Sequence, residues 1–192
     1  MQTFDSISLL TELGQDVNGL IKSAEGLKVC TPYELNETPG MDKWSVAQIL
    51  EHLNAYNRYY LPEMKKSMKG SAPFSVTFKP GIMGDYFTKL MNPKKYGKKQ
   101  KNMKAPKDYS PSSDLNAEKV LEDFIKGEQE LLFLLEQAKE VNIGKLKTPI
   151  SISPFIKLKL GDTFRFLIAH QQRHFMQIQR TLSDTNVALS VL

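Results

Sequence analysis

The sequence predicts an all-α protein whose core is a four-helix bundle. Four segments of about 20 residues each repeat apolar residues at steps of three and four, the spacing of a helix that buries one face. N-capping residues stand at the start of these segments, and prolines and glycines concentrate between them. Amphipathic helices of this number and length pack most simply as a bundle. The 192 residues, 41% of them hydrophobic, suffice for one domain spanning residues 1–192.

The four helices are predicted from their apolar periodicity and their caps. Their expected bounds are about Asp5–Leu27, a second helix that starts at Ser45, about Asp114–Val141, and Asp162 to about Leu182. Ser45 and Gln48 have the form of a capping box, with a hydroxyl at the N-cap and an amide three residues later. Pro62 is expected to bend or weaken the second helix, because proline lacks a backbone donor. Asp162 is the expected N-cap of the fourth helix.

Three connections separate the helices. Residues 28–44 contain prolines and a glycine and are predicted to form a loop. Residues 70–111 form a long basic connection with five prolines, in which 81–91 is expected to form a short helix. In the last connection, residues 148–152 alternate β-branched residues and are expected to be extended. The long basic connection allows the second and third helices to run parallel instead of forming a hairpin.

The formal net charge is +5, but the positive charge is confined to one segment. Lys65–Lys107 holds twelve lysines and one acid, Asp85, so this segment carries +11 and the rest of the chain −6. It contains no arginine, the residue best suited to bidentate phosphate contacts, which disfavours specific nucleic-acid binding. Three interpretations stay open: a lid that attracts an anionic substrate, a contact with anionic lipid head groups, or a solvated loop.

The cysteine content and the hydropathy indicate the cellular setting. Cys30 is the single cysteine, which excludes an internal disulfide and fits a reducing compartment. It has no histidine nearby in sequence and receives no role. The first residues lack the features of a signal peptide, and no stretch approaches the roughly 18 apolar residues of a spanning helix. The sequence therefore predicts a cytoplasmic protein without a membrane span.

The three histidines are candidate metal ligands. His170 and His174 are four residues apart on the fourth helix, so they lie on one face about one turn apart, as in helices that offer two imidazoles to one metal ion. His52 lies on a largely apolar and aromatic face of the second helix. Three neutral imidazoles would form a zinc-like site with open coordination positions. The alternative is that the three histidines are structural residues of the core. A zincin protease is disfavoured, because Gln171 stands where that motif requires a glutamate.

Two motifs carry a family resemblance. Trp44-Ser-Val-Ala-Gln-Ile-Leu-Glu-His52-Leu-Asn, together with His170-x-x-x-His174-x-x-Gln177, resembles the DinB-like superfamily, which includes the bacillithiol transferases and, more distantly, the mycothiol-dependent maleylpyruvate isomerases. The resemblance implies a bundle in up-down-down-up order and a divalent metal, most often zinc or nickel, held by His52, His170 and His174. It also implies a homodimer as one option. The lysine-rich connection is a departure from the family pattern.

Four further residues are candidates for the pocket around the metal. Gln177 lies one turn beyond His174 and could orient a ligand. It could equally be a polar side chain that only packs within the bundle. Tyr56 and Tyr59 could line an aromatic pocket or belong to the bundle core. Arg58 could hold an acidic group of a cosubstrate, against the alternative of a solvated surface charge. No residue is assigned a catalytic role.

Three hypotheses about function follow. The first is a metal-dependent transferase that moves a low-molecular-weight thiol to an electrophile in detoxification or stress response, as the resemblance implies. The second is a non-catalytic helical protein of the same fold that binds a ligand or partner. The third is an adaptor that binds a membrane surface or nucleic acid through Lys94–Lys107. This hypothesis predicts binding that weakens steeply as salt is added.

Overall fold

Four long helices, two short helices and two small antiparallel strand pairs make up the described part of the chain. The computed structural model describes residues 2–70, 72–92 and 109–185. In chain order its elements are β1 (Phe4–Asp5), α1 (Ser6–Gly26), a 3₁₀ turn (Leu27–Val29), α2 (Pro32–Asn36), α3 (Val46–Met68), β2 (Thr77–Phe78), α4 (Ile82–Met91), α5 (Ala117–Ala138), β3 (Lys147–Ile150), β4 (Ser153–Lys159) and α6 (Leu160–Asp184).

The long helices α3 and α5 run in the same direction. Asn54 of α3 donates to the carbonyl of Val120 at 2.9 Å. One turn later, Asn57 donates to Glu128, also at 2.9 Å and two turns further along α5. Contacts that advance together along both helices require a parallel pair, which the long connection between these helices permits.

The pairs α3–α6 and α1–α5 run antiparallel. Tyr60, near the end of α3, packs against Phe166 near the start of α6, with ring centroids 5.9 Å apart. The first half of α1 shares a buried cluster with the second half of α5, and its second half shares another with the first half of α5. The directions of α1, α3, α5 and α6 are therefore up, down, down and up, and the predicted four-helix arrangement is confirmed.

The helix starts show where local capping predicts structure and where it does not. Asp5 caps α1, accepting from the Ser8 N–H at 2.8 Å, and Ser45 and Gln48 form the predicted capping box of α3. Pro62 lies inside α3, which continues to Met68, so the proline does not end the helix. The third long helix begins at Ala117, after Asn116 as N-cap, and not at Asp114.

Two expectations about local structure were wrong. Residues 28–44 are not all loop, because Thr31 and Glu34 form a capping box and Pro32 occupies the first turn of the short helix α2. Asp162 is not the N-cap of the last helix, which begins two residues earlier at Leu160. Its side chain is buried and accepts the Gly81 N–H at 2.7 Å, so a partner distant in sequence takes the place of the local cap.

The connections hold the remaining structure. The predicted short helix is present as α4. Of the predicted extended segment, residues 148–150 lie in β3, which pairs antiparallel with β4 from Lys147 opposite Lys159, and residues 151–152 form the turn. The lysines from Lys94 to Lys107 lie outside the described residues. Within residues 2–70, 72–92 and 109–185, no helix is both long and apolar enough to cross a bilayer.

Candidate metal centre

Three imidazoles from two helices converge inside the bundle. His52 of α3 and His170 of α6 face each other with their Nε2 atoms 3.4 Å apart, and the Nε2 of His174 lies 3.1 Å from that of His170. One ligand atom from each of the three lies within 4.8 Å of the others. The antiparallel packing of α3 on α6 therefore brings together the histidines that the sequence analysis selected. We call these residues the histidine cluster.

Hydrogen bonds orient two of the three rings. The carbonyl of Tyr109 lies 2.7 Å from Nδ1 of His52, and the Oε1 of Gln177 lies 2.9 Å from Nδ1 of His174. A carbonyl oxygen accepts hydrogen bonds and cannot donate, so His52 carries its proton on Nδ1, and the Gln177 oxygen acts in the same way on His174. Both rings then present an unprotonated Nε2 to the centre of the cluster, the form that binds metal.

The donor set fits a divalent metal ion. The Nε2 of His170 lies 3.4 Å from that of His52 and 3.1 Å from that of His174, and neutral imidazoles in this arrangement could direct one lone pair each at a shared ion. Metal–nitrogen bonds of 2.0–2.1 Å at tetrahedral angles would separate neighbouring ligand nitrogens by about 3.3 Å. The observed separations are therefore close to those of a three-histidine site.

Burial keeps the imidazoles neutral. It lowers the pKa of His174 to about 3, with His52 adding to the effect and the bond to Gln177 opposing it. Burial also lowers the pKa of His52, opposed by the bond to Tyr109, and holds the pKa of His170 well below its ordinary value. Protonation would destroy the lone pair that binds metal, so the folded protein favours the ligand form of all three rings.

Aromatic side chains wall the histidine cluster. The Tyr56 ring centroid lies 4.4 Å from that of His170, and the Phe166 ring stacks on His170 with centroids 6.0 Å apart. Trp44, the first residue of the family motif, has its ring centroid 5.1 Å from that of His52. His174 is half-buried, whereas the other two histidines are buried. The cluster thus has a largely apolar lining and is least covered at His174.

The structure does not bring every candidate residue to the cluster. Arg58 forms an ion pair with Glu51 at 2.6 Å on the exposed side of α3. The hydroxyl of Tyr59 donates to the carbonyl of Ile150 in the hairpin at 3.0 Å, which ties α3 to β3. Gln177 and Tyr56 do contact the histidine cluster.

Two residues with a role in the buried polar interior, Tyr109 and Glu128, were not identified from the sequence. Tyr109 acts through its backbone carbonyl, which no residue type reveals. Glu128 could have been found: it occupies an apolar position of α5, where Leu121, Phe124, Leu131 and Leu135 otherwise follow at steps of three and four.

Glu128 is the centre of a second buried polar group. It accepts from Asn57 at 2.9 Å and from Gln171 at 2.6 Å, and it is fully buried. Burial raises the pKa of Glu128 to about 8, although both hydrogen bonds act in the opposite direction. Its Oε2 and the Oε1 of Gln171 have no hydrogen-bond partner among the described residues. We call Asn57, Glu128 and Gln171 the amide–carboxyl cluster.

Comparison with known proteins identifies the family. The chain matches the sequence profile of the DinB superfamily over residues 18–178. No curated protein matches it at a significant level. The solved structure of YfiT from Bacillus subtilis, described as a probable metal-dependent hydrolase with an unusual four-helix bundle topology, superposes with a TM-score of 0.51 at 14% identity, covering 95% of this chain and 87% of that one.

The structural match and the profile match support different conclusions. At 14% identity, the match to YfiT supports the fold alone. The profile match spans most of the chain and includes all three histidines. The protein therefore belongs to the DinB superfamily.

Proposed function

We propose that the histidine cluster binds one divalent metal ion, zinc or nickel, and that the protein is a metal-dependent enzyme transferring a low-molecular-weight thiol to an electrophile. The convergence of the three Nε2 atoms, with those of His52 and His174 3.4 Å and 3.1 Å from that of His170, carries this proposal. A bound metal with three neutral ligands would supply an uncompensated positive charge that favours the thiolate form of a thiol.

The chain's own residues would prepare the site. Tyr109 and Gln177 hold two imidazole rings with Nε2 directed inward. Trp44, Tyr56 and Phe166 exclude water and offer apolar surface to an electrophile. We place this chemistry in the cytoplasm, where small thiols are kept reduced.

The surroundings of the cluster favour a thiol over water as nucleophile. In the described ranges, no carboxylate hydrogen-bonds to any of the three imidazoles. A thiol ionises near pH 8.5 and needs little help, whereas water needs a far larger reduction of its pKa. The homodimer implied by the resemblance stays a prediction.

Metal content tests the first half of the proposal. Elemental mass spectrometry of tag-free protein should find about one equivalent of zinc or nickel in the parent. The His174→Ala variant should lose it, and Gln179→Ala, an exposed position of the same helix, should retain it. A parent that takes up none of several offered divalent ions would show that these are core histidines.

Turnover tests the second half. Metal-loaded protein is mixed with monobromobimane and, in turn, bacillithiol, glutathione, cysteine and coenzyme A, and conjugate formation is measured against the His174→Ala background. Thiol-dependent conjugation above that background supports transferase activity. Cleavage of a p-nitrophenyl ester without added thiol would instead indicate hydrolysis. Metal binding without either reaction would favour the non-catalytic binding protein.

A further inference from the structure

The helix α4 (Ile82–Met91) exposes part of its apolar side. Ile82 and Tyr86, one turn apart, are 79% and 60% exposed, and Met83 beside them is also exposed. The buried residues of this helix are small or polar: Gly84, Asp85 and Thr88. A surface helix normally buries its apolar stripe and exposes its polar one. Phe87 and Met91 of α4 pack against the core, whereas Ile82, Met83 and Tyr86 form an apolar stripe that stays exposed on the described chain.

Specific polar contacts impose this orientation. Arg165 of α6 pairs with Asp85 at 3.4 Å and with Asp162 at 3.3 Å. Gly84 lies against the Asp162 side chain so closely that no other residue fits there, and the Gly81 N–H donates to the same carboxylate. The exposed stripe is thus a consequence of how α4 is clamped to α6, and not of a loose segment.

The β3–β4 hairpin adds apolar and basic groups. Phe155 is 93% exposed, and Ile152 in the turn is exposed as well. The pairing of Lys147 with Lys159 and of Pro149 with Lys157 places these residues on the outward side of the hairpin, since the alternate residues Thr148, Ile150 and Leu158 are buried.

The hairpin and α4 meet at their basic residues. The Nζ of Lys159 donates to the carbonyl of Lys79, just before α4, at 2.7 Å. Together they form one continuous surface, which we call the α4–hairpin face: Ile82, Met83, Tyr86, Ile152, Phe155, Lys79, Lys147, Lys157 and Lys159.

The face carries positive charge only. Residues 72–92 and 143–161 contain six lysines and one acid, Asp85, which is buried and paired with Arg165. In the part of the chain that the structure describes, no carboxylate pairs with the lysines of the face.

We propose that the α4–hairpin face binds the surface of a bilayer containing anionic lipid. Its apolar side chains would enter the boundary between head groups and acyl chains, while the lysines contact the anionic head groups. A second copy of the chain is disfavoured, because it would bring two sets of unpaired lysines together. Nucleic acid would leave the aliphatic side chains of Ile82 and Met83 without a partner. This surface is independent of the proposed metal site.

Vesicle co-sedimentation of the full chain tests the proposal. Vesicles with 30% phosphatidylserine in phosphatidylcholine should bind the protein at low salt, and pure phosphatidylcholine should bind it far less. The double variant Lys147→Gln, Lys157→Gln should bind the anionic vesicles about thirtyfold more weakly. The control Lys22→Gln, Lys28→Gln removes the same charge at exposed positions elsewhere and should change binding less than about threefold.

A second variant separates apolar insertion from charge. Ile82→Ser, Phe155→Ser keeps every lysine and should weaken binding by about tenfold or more, with an unchanged circular dichroism spectrum. Absence of binding to anionic vesicles at low salt would overturn the proposal. So would an equal loss of vesicle binding in the Lys147→Gln, Lys157→Gln variant and in the control Lys22→Gln, Lys28→Gln. Light scattering that shows a dimer abolished by the serine substitutions, with vesicle binding intact, would assign the face to a second copy instead.

Discussion

Two buried polar clusters lie side by side in the bundle and behave differently. The histidine cluster and the amide–carboxyl cluster both join α3 to α6, and Gln171 directly follows His170 in the chain. In the amide–carboxyl cluster, amide N–H groups point at carboxylate oxygen, so donors meet acceptors. In the histidine cluster, three imidazole nitrogens converge, and the Nδ1 bonds of His52 and His174 leave the Nε2 of each as an acceptor. Burial of polar groups does not by itself indicate a site, whereas the convergence of several potential metal ligands does.

The amide–carboxyl cluster is expected to be structural, and replacing Glu128 with leucine should break it. Leucine fills similar space but leaves N–H groups of Asn57 and Gln171 buried without acceptors, at about 1–3 kcal/mol each. We expect the free energy of unfolding, measured by urea titration, to fall by about 2–5 kcal/mol. The control Glu130→Leu, at an exposed position of α5, should stay within about 0.5 kcal/mol of the parent. Equal stabilities of both variants would contradict a structural role.

The histidine cluster is expected to contribute stability only with metal. Zinc or nickel at a thousandfold excess over its Kd should raise the free energy of unfolding of the parent by about 4 kcal/mol. His174→Ala should lose this gain, while Glu128→Gln should retain it, because the amide–carboxyl cluster does not contact the ligands. Urea titrations with metal and with chelator give the comparison. A gain that survives in His174→Ala would place the metal elsewhere.

A pH titration distinguishes the clusters in metal-free protein. The pKa of Glu128 is about 8 in the folded chain against an ordinary 4.5, so between pH 6.5 and 8 the folded state keeps a proton that the unfolded state has released. The contribution of Glu128 to stability therefore falls as pH rises through this window, by about 2 kcal/mol, and levels off above the folded pKa.

Comparison with Glu128→Gln separates Glu128 from the histidines. The folded pKa values of the histidines are lowered, so their contribution to stability grows as pH rises through the ordinary value of 6.5, and it is the same in the parent and in the variant. Glu128→Gln should abolish the decline between pH 6.5 and 8. A decline of the same size in that variant would assign it to another group.

The smallest expected effect concerns the orientation of His174. Gln177→Ala removes the acceptor of its Nδ1–H, and metal affinity should fall about tenfold, the lower end for such partners because this contact is only half-buried. Competition with a metal-binding dye measures the change, with Gln179→Ala as control. An unchanged affinity would mean that packing alone orients the ring.

Much of the fold could be predicted from the sequence because its signals are local. Apolar periodicity located the four long helices, and the Ser45 and Gln48 capping box marked the start of α3. The four-residue spacing of His170 and His174 placed both on one helix face. Prediction failed at Asp162, where a contact with Gly81, 81 residues away in the chain, replaced the local cap.

Residue types and their spacing along the chain thus determined the helices, the pair of histidines on α6 and the family motifs. Only the tertiary structure decided that His52 meets that pair, because the register of α3 against α6 depends on packing between distant segments. It also decided the role of the Tyr109 carbonyl and the outward apolar stripe of α4. Backbone groups carry no residue-specific signal, and the clamp formed by Arg165 and Asp162 overrides the local amphipathic pattern.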